Sequence, residues 1–584
     1  MKWIQEIDPA SEIVLSAILA AIPIAFIFWA LIIRKMKGYL ASMLTAGIAI
    51  VVSVLVYGMP VKLAMLSALN GIFYGLFPIC WILIGAVYLY NITVRSGQFE
   101  IIKNFMASIT NDRRLQALII AFSFGAFLEG ATGMGTPVAI TAAMLVGLGF
   151  NPLYAAGICL IANTAPVAFG AVGTPIVIAS QVSGIPEMAI SQMVGRTLPL
   201  VSLFIPLYLV VLMSGFRKSL EVMPAILISG LSFAVVQWFT SNYLSPMLPD
   251  VIAGLVSIIC LATLLKFWKP KSQWRFKDET VEITETYNKY STGEILKAWS
   301  PFIIMTLIII TWGLQPVKDA LNSLGQIKFV IPGLSDSIIK QDGTPFIIKP
   351  FDLSIFSNSG TALILSGIIS FPLIGLGIKE GLKIFYDTLK QLKFPIITIT
   401  SVLAFAFVAN YSGMSTTMAM ALAGTGFLFP FFSPVLGWLG VFLTGSDTSS
   451  NALFCKLQHT SATAIGIDPV ITVSANASGG VTGKMISPQS IAVGAASVGL
   501  VGRESDIFRF TLKHSFIMLF LICLITLMQA YFMQWLIPDY KNIEQVAQVH
   551  TLNNLSGIIC LGVLLAIIIT ISSVILLMNK KKVV

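Results

Sequence analysis

Apolar stretches long enough to cross a membrane recur from one end of the chain to the other. A helix needs about 20 mainly apolar residues to span the hydrocarbon core of a bilayer. The pattern predicts spans at 13–33, 39–57, 63–77, 78–92, 197–214, 222–240, 251–268, 301–314, 355–378, 515–537 and 555–578. Between 115 and 195, and again between 400 and 500, Gly, Pro, Thr, Ser and Asn interrupt it. The expected fold class is therefore an all-α polytopic membrane protein with discontinuous or re-entrant helices.

Charge in the polar connections predicts which side of the membrane each one occupies. Lys and Arg residues are frequent at 97–114, 269–297 and 379–393, and basic connections normally stay in the cytoplasm. The loop 315–354 has little excess positive charge and carries turn signals such as Pro332-Gly333, so we place it outside.

The two ends of the chain are expected on opposite sides. The first apolar run is too long for a cleavable signal peptide, and basic residues follow it rather than precede it. We therefore place the N-terminus outside, and the C-terminus, with Lys580 to Lys582, inside. The predicted location is the plasma (inner) membrane.

These patterns divide the chain into five parts. They are N-terminal helices (1–114), a first Gly-rich repeat (115–214), connecting helices with the two loops (215–399), a second Gly-rich repeat (400–537), and an external loop with the last helix (538–584).

Composition excludes several other classes of protein. Of the 584 residues, 56% are hydrophobic and 11% are charged, whereas soluble domains carry about a quarter charged residues. The net charge of +10 is explained by basic loops on one membrane side, so no nucleic-acid partner is expected. The six cysteines form no C-x-x-C pair and the three histidines are scattered, which argues against a metal site. No nucleophile–base motif or cofactor loop is evident, so we expect neither an enzyme nor a cofactor.

The two Gly-rich regions resemble each other when they are aligned at the offset that places Asn476 on Asn163. Gly483 then falls on Gly170, Pro488 on Pro175 and Arg509 on Arg196. The helix after Arg196 ends in basic residues, whereas the helix after Arg509 begins among them, so the positive-inside rule gives the copies opposite orientations. Inverted structural repeats with interrupted helices are typical of transporters whose substrate binds near the membrane mid-plane. Chance similarity between Gly-rich membrane segments is the alternative.

Interrupted helices suit the binding of a small anion. Thr136-Pro137, Thr174-Pro175 and Ser487-Pro488 each place a helix N-cap residue before proline. The free N–H groups at such a helix start attract negative charge. The candidate substrate-binding residues are Asn163, Thr164, Thr174, Tyr411, Thr444, Ser446, Asn476, Ser478, Lys484 and Ser487. For the small residues among them, plain helix packing is the competing explanation.

Three charged residues lie deep inside these regions: Glu129, Asp447 and Lys484. A charge at the bilayer centre costs about 2.5–3.5 kcal/mol on insertion scales, so it is usually functional or paired. Lys484 is a candidate counter-charge for a substrate carboxylate, or a partner of Asp447 or Glu129. Glu129 and Asp447 are candidates for proton coupling, with a structural ion pair as the alternative for Glu129 and a helix N-cap as the alternative for Asp447.

The same stretches resemble the bacterial L-lactate permease family. The matching motifs are M-K-G-Y at 36–39, N-D-R-R-L-Q-A at 111–117, F-G-A-F-L-E-G-A-T-G-M-G-T-P at 124–137, N-P-L-Y-A-A-G-I-C-L-I-A-N-T-A-P-V-A-F-G-A at 151–171, G-S-D-T-S-S-N-A-L-F at 445–454 and G-K-M-I-S-P-Q-S at 483–490. The resemblance covers nearly the whole chain. Met134 and Thr136 depart from it, since Phe and often Ala are expected there.

The resemblance implies proton symport of L-lactate, with D-lactate and glycolate as further substrates. The residues alone indicate only a transporter whose centre suits an anion. A carrier of another small carboxylate driven by sodium or by exchange, and an anion channel, stay open as alternatives. Protons and membrane lipid are the other expected partners, and a homo-oligomer is compatible with the sequence.

Overall fold

The fold is built almost entirely from helices. A computed structural model describes residues 2–34, 36–133, 135–276, 290–334, 337–341, 343–348 and 350–540. Within these ranges ten helices are long and apolar enough to cross a membrane, or up to twelve if two bent pairs each count as one span. The predicted all-α polytopic class is thus confirmed. The predicted span at 555–578, Lys580 to Lys582 and the charged centre of the 269–297 loop lie outside the described residues.

The N-terminal part consists of six helices, and the chain is bent between the first and second and irregular between the fourth and fifth. The helices are α1 (Ile13–Ala20), α2 (Ile22–Phe28), α3 (Gly38–Leu55), α4 (Val61–Tyr74), α5 (Trp81–Arg95) and α6 (Gln98–Ser108). Irregular turns at 75–80, with Phe77 in an extended conformation, join α4 to α5. Residues 61–95 therefore continue along one path as a single candidate span, where the sequence predicted two. The polar segment 97–114 contains the helix α6 rather than only loop.

The first Gly-rich region folds into short, buried helices. They are α7 (Arg113–Gln116), α8 (Gly125–Thr132), α9 (Thr136–Gly147), α10 (Pro152–Ala162), α11 (Gly170–Ser183), α12 (Glu187–Val194) and α13 (Leu198–Ser214). Helical residues 117–124 join α7 to α8, and the resulting span is buried along its whole length inside the protein. It is thus a central helix that other helices shield from lipid.

The connecting region combines long helices with short strands in the 315–354 loop. Its helices are α14 (Phe216–Ser219), α15 (Met223–Tyr243), α16 (Pro249–Phe267), α17 (Thr292–Gly313), α18 (Gln315–Gly325), α19 (Ser359–Ile374) and α20 (Ile378–Ser412). Four short strands are β1 (Trp3–Ile4), β2 (Gln326–Phe329), β3 (Ile338–Ile339) and β4 (Phe351–Ser354). Strand β1 pairs with β3 in parallel, and β2 pairs with β4 in antiparallel. The basic stretch 379–393, predicted as a cytoplasmic connection, is the first half of the unbroken helix α20.

The second Gly-rich region ends the described part of the chain. Its helices are α21 (Met414–Ala423), α22 (Phe429–Thr444), α23 (Asp447–Ala464), α24 (Pro469–Lys484), α25 (Pro488–Ser497) and α26 (Glu504–Tyr531). Helices α22 and α24 pack backbone against backbone, because a Cβ on Gly437 would lie 1.9 Å from the carbonyl oxygen of Asn476. Gly479 is equally confined, with the Pro434 carbonyl oxygen 2.1 Å from its Cβ position.

Contacts between connections sort them into two sides. On one side Arg114 binds Asp112, Glu221 and the carbonyl oxygens of Lys218 and Ser272. These residues belong to the connections predicted to be cytoplasmic. On the other side β1 joins the N-terminus to the 315–354 loop, as expected if both share one side.

The helices that follow the two Gly-rich regions run in opposite directions. Thr197 at the start of α13 hydrogen bonds Gln529 near the end of α26, and Tyr208 contacts His514 nearer the start of α26. This agrees with the opposite directions predicted for the helices after Arg196 and Arg509. The inverted repeat as a whole stays a prediction.

Candidate functional site

A buried ion pair between the two Gly-rich regions forms the centre of the candidate site. The Nζ atom of Lys484, the last residue of α24, lies 2.5 Å from Oε1 of Glu129 on α8. The side chains are 7% and 2% exposed. Gly170, the first residue of α11, makes room for the carboxylate, because a Cβ there would lie 2.8 Å from Glu129 Oε1. The pairing that the sequence offered as one alternative for Glu129 and Lys484 is therefore present.

Asn163 lies at the break between α10 and α11, where the chain bends by 66°. Its Nδ2 atom donates to Oε2 of Glu129 at 3.0 Å, so the second carboxylate oxygen is also held. The Oδ1 atom of Asn163 is buried and has no hydrogen-bond partner among the residues that the structure describes. The predicted interruption at Asn163 is present, and it places one unsatisfied acceptor beside the ion pair.

The start of α11 is an unusual left-handed turn. Ala171, Val172 and Gly173 have φ angles of 46°, 53° and 70°, a region that a β-branched residue rarely adopts. Close packing requires glycine at two positions here: a Cβ on Gly133 would lie 2.8 Å from the Cβ of Ala171, and a Cβ on Gly173 would lie 2.4 Å from the Pro246 carbonyl oxygen. Backbone strain of this kind clusters at functional sites, where the surrounding structure maintains it.

Only one of the three predicted N-caps has the expected geometry. Ser487 accepts a hydrogen bond from the backbone N–H of Ser490 at 3.1 Å and caps α25. Thr174 is not a cap, because its hydroxyl donates to the Ala171 carbonyl at 2.5 Å. Thr136 is not a cap either, since the glycine before it occupies the N-cap position of α9.

Asp447 extends the site from the second region. It is the first residue of α23, and Ser446, not Asp447, is the N-cap. Its Oδ2 accepts a bond from Asn451 at 3.3 Å, whereas its buried Oδ1 has no partner in the described ranges. Oδ1 lies 2.1 Å from the Cβ position of Gly480, one helical turn before Lys484. Asp447 and Lys484 therefore lie along one side of α24.

Asn476 does not lie at a break, contrary to the prediction from its alignment with Asn163. It is fully buried inside the unbroken helix α24. Its Nδ2 donates to Asn451 Oδ1 at 2.9 Å, and its Oδ1 accepts from Gln458 at 3.3 Å. Asn451 also donates to the Pro175 carbonyl at 3.1 Å, which connects this network to α11. The break in the second region comes later, between Lys484 and Pro488.

The other predicted substrate-binding residues are spread around this centre. Thr164 and Thr444 donate to carbonyls within their own helical turns, and Ser478 has a buried hydroxyl with no partner in the described chain. Tyr411 hydrogen bonds Asn70 and packs against Phe346, a residue of the 315–354 loop. These contacts place Tyr411 in a different cluster from Glu129.

The half-helix starts at Pro175 and Pro488 have different neighbours. Helix α11 packs against α23 and α8, whereas α25 packs against α9 and α10. Arg196 lies between α12 and α13, and it bonds Asn242 and the Leu536 carbonyl.

Sequence reasoning missed a further buried carboxylate, Asp250. It lies in the first turn of α16 and is 1% exposed. Gln237 of α15 donates to its Oδ1 at 2.9 Å. In the sequence, Pro249-Asp250 before an apolar run has the pattern of an ordinary helix start, and only its neighbours reveal that it is buried.

The donor set at this centre consists of carboxylates, amides and one ammonium group. Within the described ranges, no three His, Cys, Asp or Glu side chains are grouped so that they could hold a metal ion.

Comparison with known proteins gives the family. The profile of the L-lactate permease family matches residues 16–533. An L-lactate permease of Bacillus subtilis is 54% identical over 92% of this chain and 100% of its own. Two Escherichia coli proteins are each 50% identical: a glycolate permease over 91% of this chain and 98% of its own, and an L-lactate permease over 92% and 100%. This chain, a multi-pass membrane protein, belongs to the L-lactate permease family.

Proposed function

We propose that this protein is a secondary transporter that takes up L-lactate by proton symport across the plasma membrane, with D-lactate and glycolate as further substrates. Relatives named L-lactate permease and glycolate permease, each covered almost completely, support this substrate class. As part of this proposal we keep the N-terminus outside and the C-terminus inside; the basic character of the connections grouped around Arg114 supports a cytoplasmic side there.

The buried pair of Glu129 and Lys484 carries the proposal. An unpaired charge at this depth would cost several kcal/mol, so Lys484 keeps an anionic partner. When Glu129 takes up a proton, it no longer neutralises Lys484, and the carboxylate of lactate replaces it. The empty site and the site with both proton and lactate then have the same net charge, whereas a site with only one of them leaves a charge uncompensated.

This substitution gives a physical reason for coupling. Conformational change is costly while an unpaired charge is buried, so crossing is favoured in the empty and in the doubly loaded state. The side chain of Asn163, which holds Glu129 through Nδ2, has a free Oδ1 that suits the 2-hydroxyl group of the substrate. Lactate and glycolate share that hydroxyl group and the carboxylate.

The test is uptake of radiolabelled L-lactate into proteoliposomes with pH, voltage and sodium gradients set separately. Glu129→Gln resembles the protonated side chain, so the variant is expected to bind lactate and exchange it across the membrane but not to accumulate it with a pH gradient. Glu100→Gln is the matched control, since the Glu100 side chain is 62% exposed and paired only with Lys103 in the described structure.

Other outcomes separate the rival functions. Accumulation that follows a sodium gradient without a pH gradient would indicate a sodium-coupled carrier, and current without coupling to a second ion would indicate an anion channel. Normal proton-driven accumulation by Glu129→Gln would remove Glu129 from the mechanism.

A further inference from the structure

Asp250 and Glu129 are attached to the same short turn. The turn is 163–166, between α10 and the helical residues that lead into α11. Asn163 at its start donates to Glu129, and the carbonyl oxygen of Ala165 accepts from Nε2 of Gln237 at 3.1 Å. The same Nε2 donates to Asp250 Oδ1 at 2.9 Å. Two carboxyl groups are thus linked, from two directions, to one break in the helix.

Asp250 has no positive partner. In the ranges described, no basic side chain lies within ion-pair distance of it, and its Oδ2 is buried without a hydrogen-bond partner. Glu129 on α8 is the charged side chain that faces it, while α15 and residues 117–124 contain no Asp, Glu, Lys, Arg or His. On α16 itself Lys266 lies at the opposite end of the helix. Asp447 differs from Asp250 because it has a cation nearby: it contacts α24 at Gly480, and Lys484 lies one helical turn further along α24.

Burial decides the charge of such a group. A carboxylate far from water and without a cation is strongly unfavourable, so the group takes up a proton and becomes neutral. Gln237 is held by Ser202, whose hydroxyl donates to its Oε1 at 3.0 Å. The Gln237 amide N–H therefore stays directed at Asp250 Oδ1, and a proton on Asp250 resides on Oδ2.

We propose that Asp250 is a second proton-binding residue of the transport cycle. It binds a proton in the conformation described here and releases it when the 163–166 turn changes shape. This inference rests on the proposed function: Glu129 exchanges one proton against the substrate anion, and Asp250 adds a second. Two protons then enter with each lactate anion, and each cycle moves one net positive charge inward.

The test separates voltage from pH in proteoliposomes. One net charge is worth about a tenfold accumulation for each 59 mV. With 59 mV, inside negative, and no pH gradient, the native protein is expected to accumulate L-lactate about tenfold at equilibrium. Asp250→Asn is expected to accumulate none under voltage alone but still about tenfold under a pH gradient of one unit. Asp387→Asn, at a partly exposed position paired with Arg95, is the control that keeps the voltage response.

Each outcome decides the inference. Accumulation by the native protein under a pH gradient but not under voltage would overturn it and leave the proposed function intact, since one proton per lactate is electroneutral. A voltage response retained by Asp250→Asn would also overturn it. If neither gradient drives uptake, the proposed function itself fails. If Asp250→Asn does not give a monodisperse protein, Asp250→Ser replaces it and Asp250→Glu, which keeps the carboxyl group, is expected to retain the voltage response.

Discussion

Replacement of Lys484 by methionine tests the buried ion pair directly. Methionine keeps much of the length and packing of the lysine stem but removes the charge, so Glu129 loses its partner at a position that is 2% exposed. Removal of one member of a buried pair typically costs about 3–5 kcal/mol. Asn163 still donates to Oε2, so we expect a loss at the lower end of that range, about 3 kcal/mol.

The assay is chemical denaturation of the purified protein in detergent micelles, with a double-mutant cycle. Glu129→Gln alone leaves Lys484 buried and unpaired and is also expected to destabilise, but saturating lactate should restore part of the loss, about 2.7 kcal/mol at 100 times the dissociation constant. The Lys484→Met variant lacks the ammonium group at this position, so lactate should not increase its free energy of unfolding. The double variant, Glu129→Gln with Lys484→Met, removes both charges and should be within about 1 kcal/mol of the native protein.

The reasoning would be refuted by additivity. If the double variant loses as much free energy of unfolding as the two single variants together, the side chains do not interact in the native protein. Stabilisation of Lys484→Met by lactate equal to that of the native protein would place the substrate carboxylate away from Lys484.

Two further comparisons follow from close contacts. Gly437→Ala should give no folded protein in size-exclusion chromatography, because its Cβ would lie 1.9 Å from a carbonyl oxygen. Gly47→Ala is the control and should be tolerated, since no atom lies within 4 Å of its Cβ position. Normal elution of Gly437→Ala would contradict this packing. Asn163→Ala should raise the half-saturating lactate concentration about tenfold, roughly 1.4 kcal/mol. Asn476→Ala should instead cost about 1–3 kcal/mol of stability with nearly native affinity, because it removes the donor to the buried Oδ1 of Asn451 and one acceptor of the Gln458 amide. A selective loss of affinity would return Asn476 to the binding site.

The membrane class and the first helix break could be predicted because they depend on local pattern. Apolar runs and basic connections determine most spans, and the residues around Asn163 contain enough Thr, Pro and Gly to interrupt a helix. The left-handed conformation of Val172 could not be predicted, since it opposes the local preference of a β-branched residue.

The second region shows why sequence alignment alone misplaced a site residue. Asn476 aligns with Asn163, but the glycines at 479, 480 and 483 serve close packing of an intact helix rather than a break. The same residue type thus has two different uses that the sequence does not distinguish. Asp250 was missed for the converse reason, because an acidic residue at a helix start is ordinary and its burial depends on α8 and α15.

Helix α20 has a mechanical consequence. Its 35 residues form one unbroken rod of about 52 Å, well beyond the roughly 30 Å of a hydrocarbon core. The four lysines from Lys379 to Lys393 all lie in its first half, and Tyr411 lies at its other end. In a continuous helix of this length the two ends move together: a tilt of about 5° around its middle moves each end by roughly 2 Å in opposite directions. Gln5 donates to the carbonyls of Asn410 and Tyr411 at the other end of the helix. A displacement of the lysine-bearing end would therefore also move the contact with Gln5.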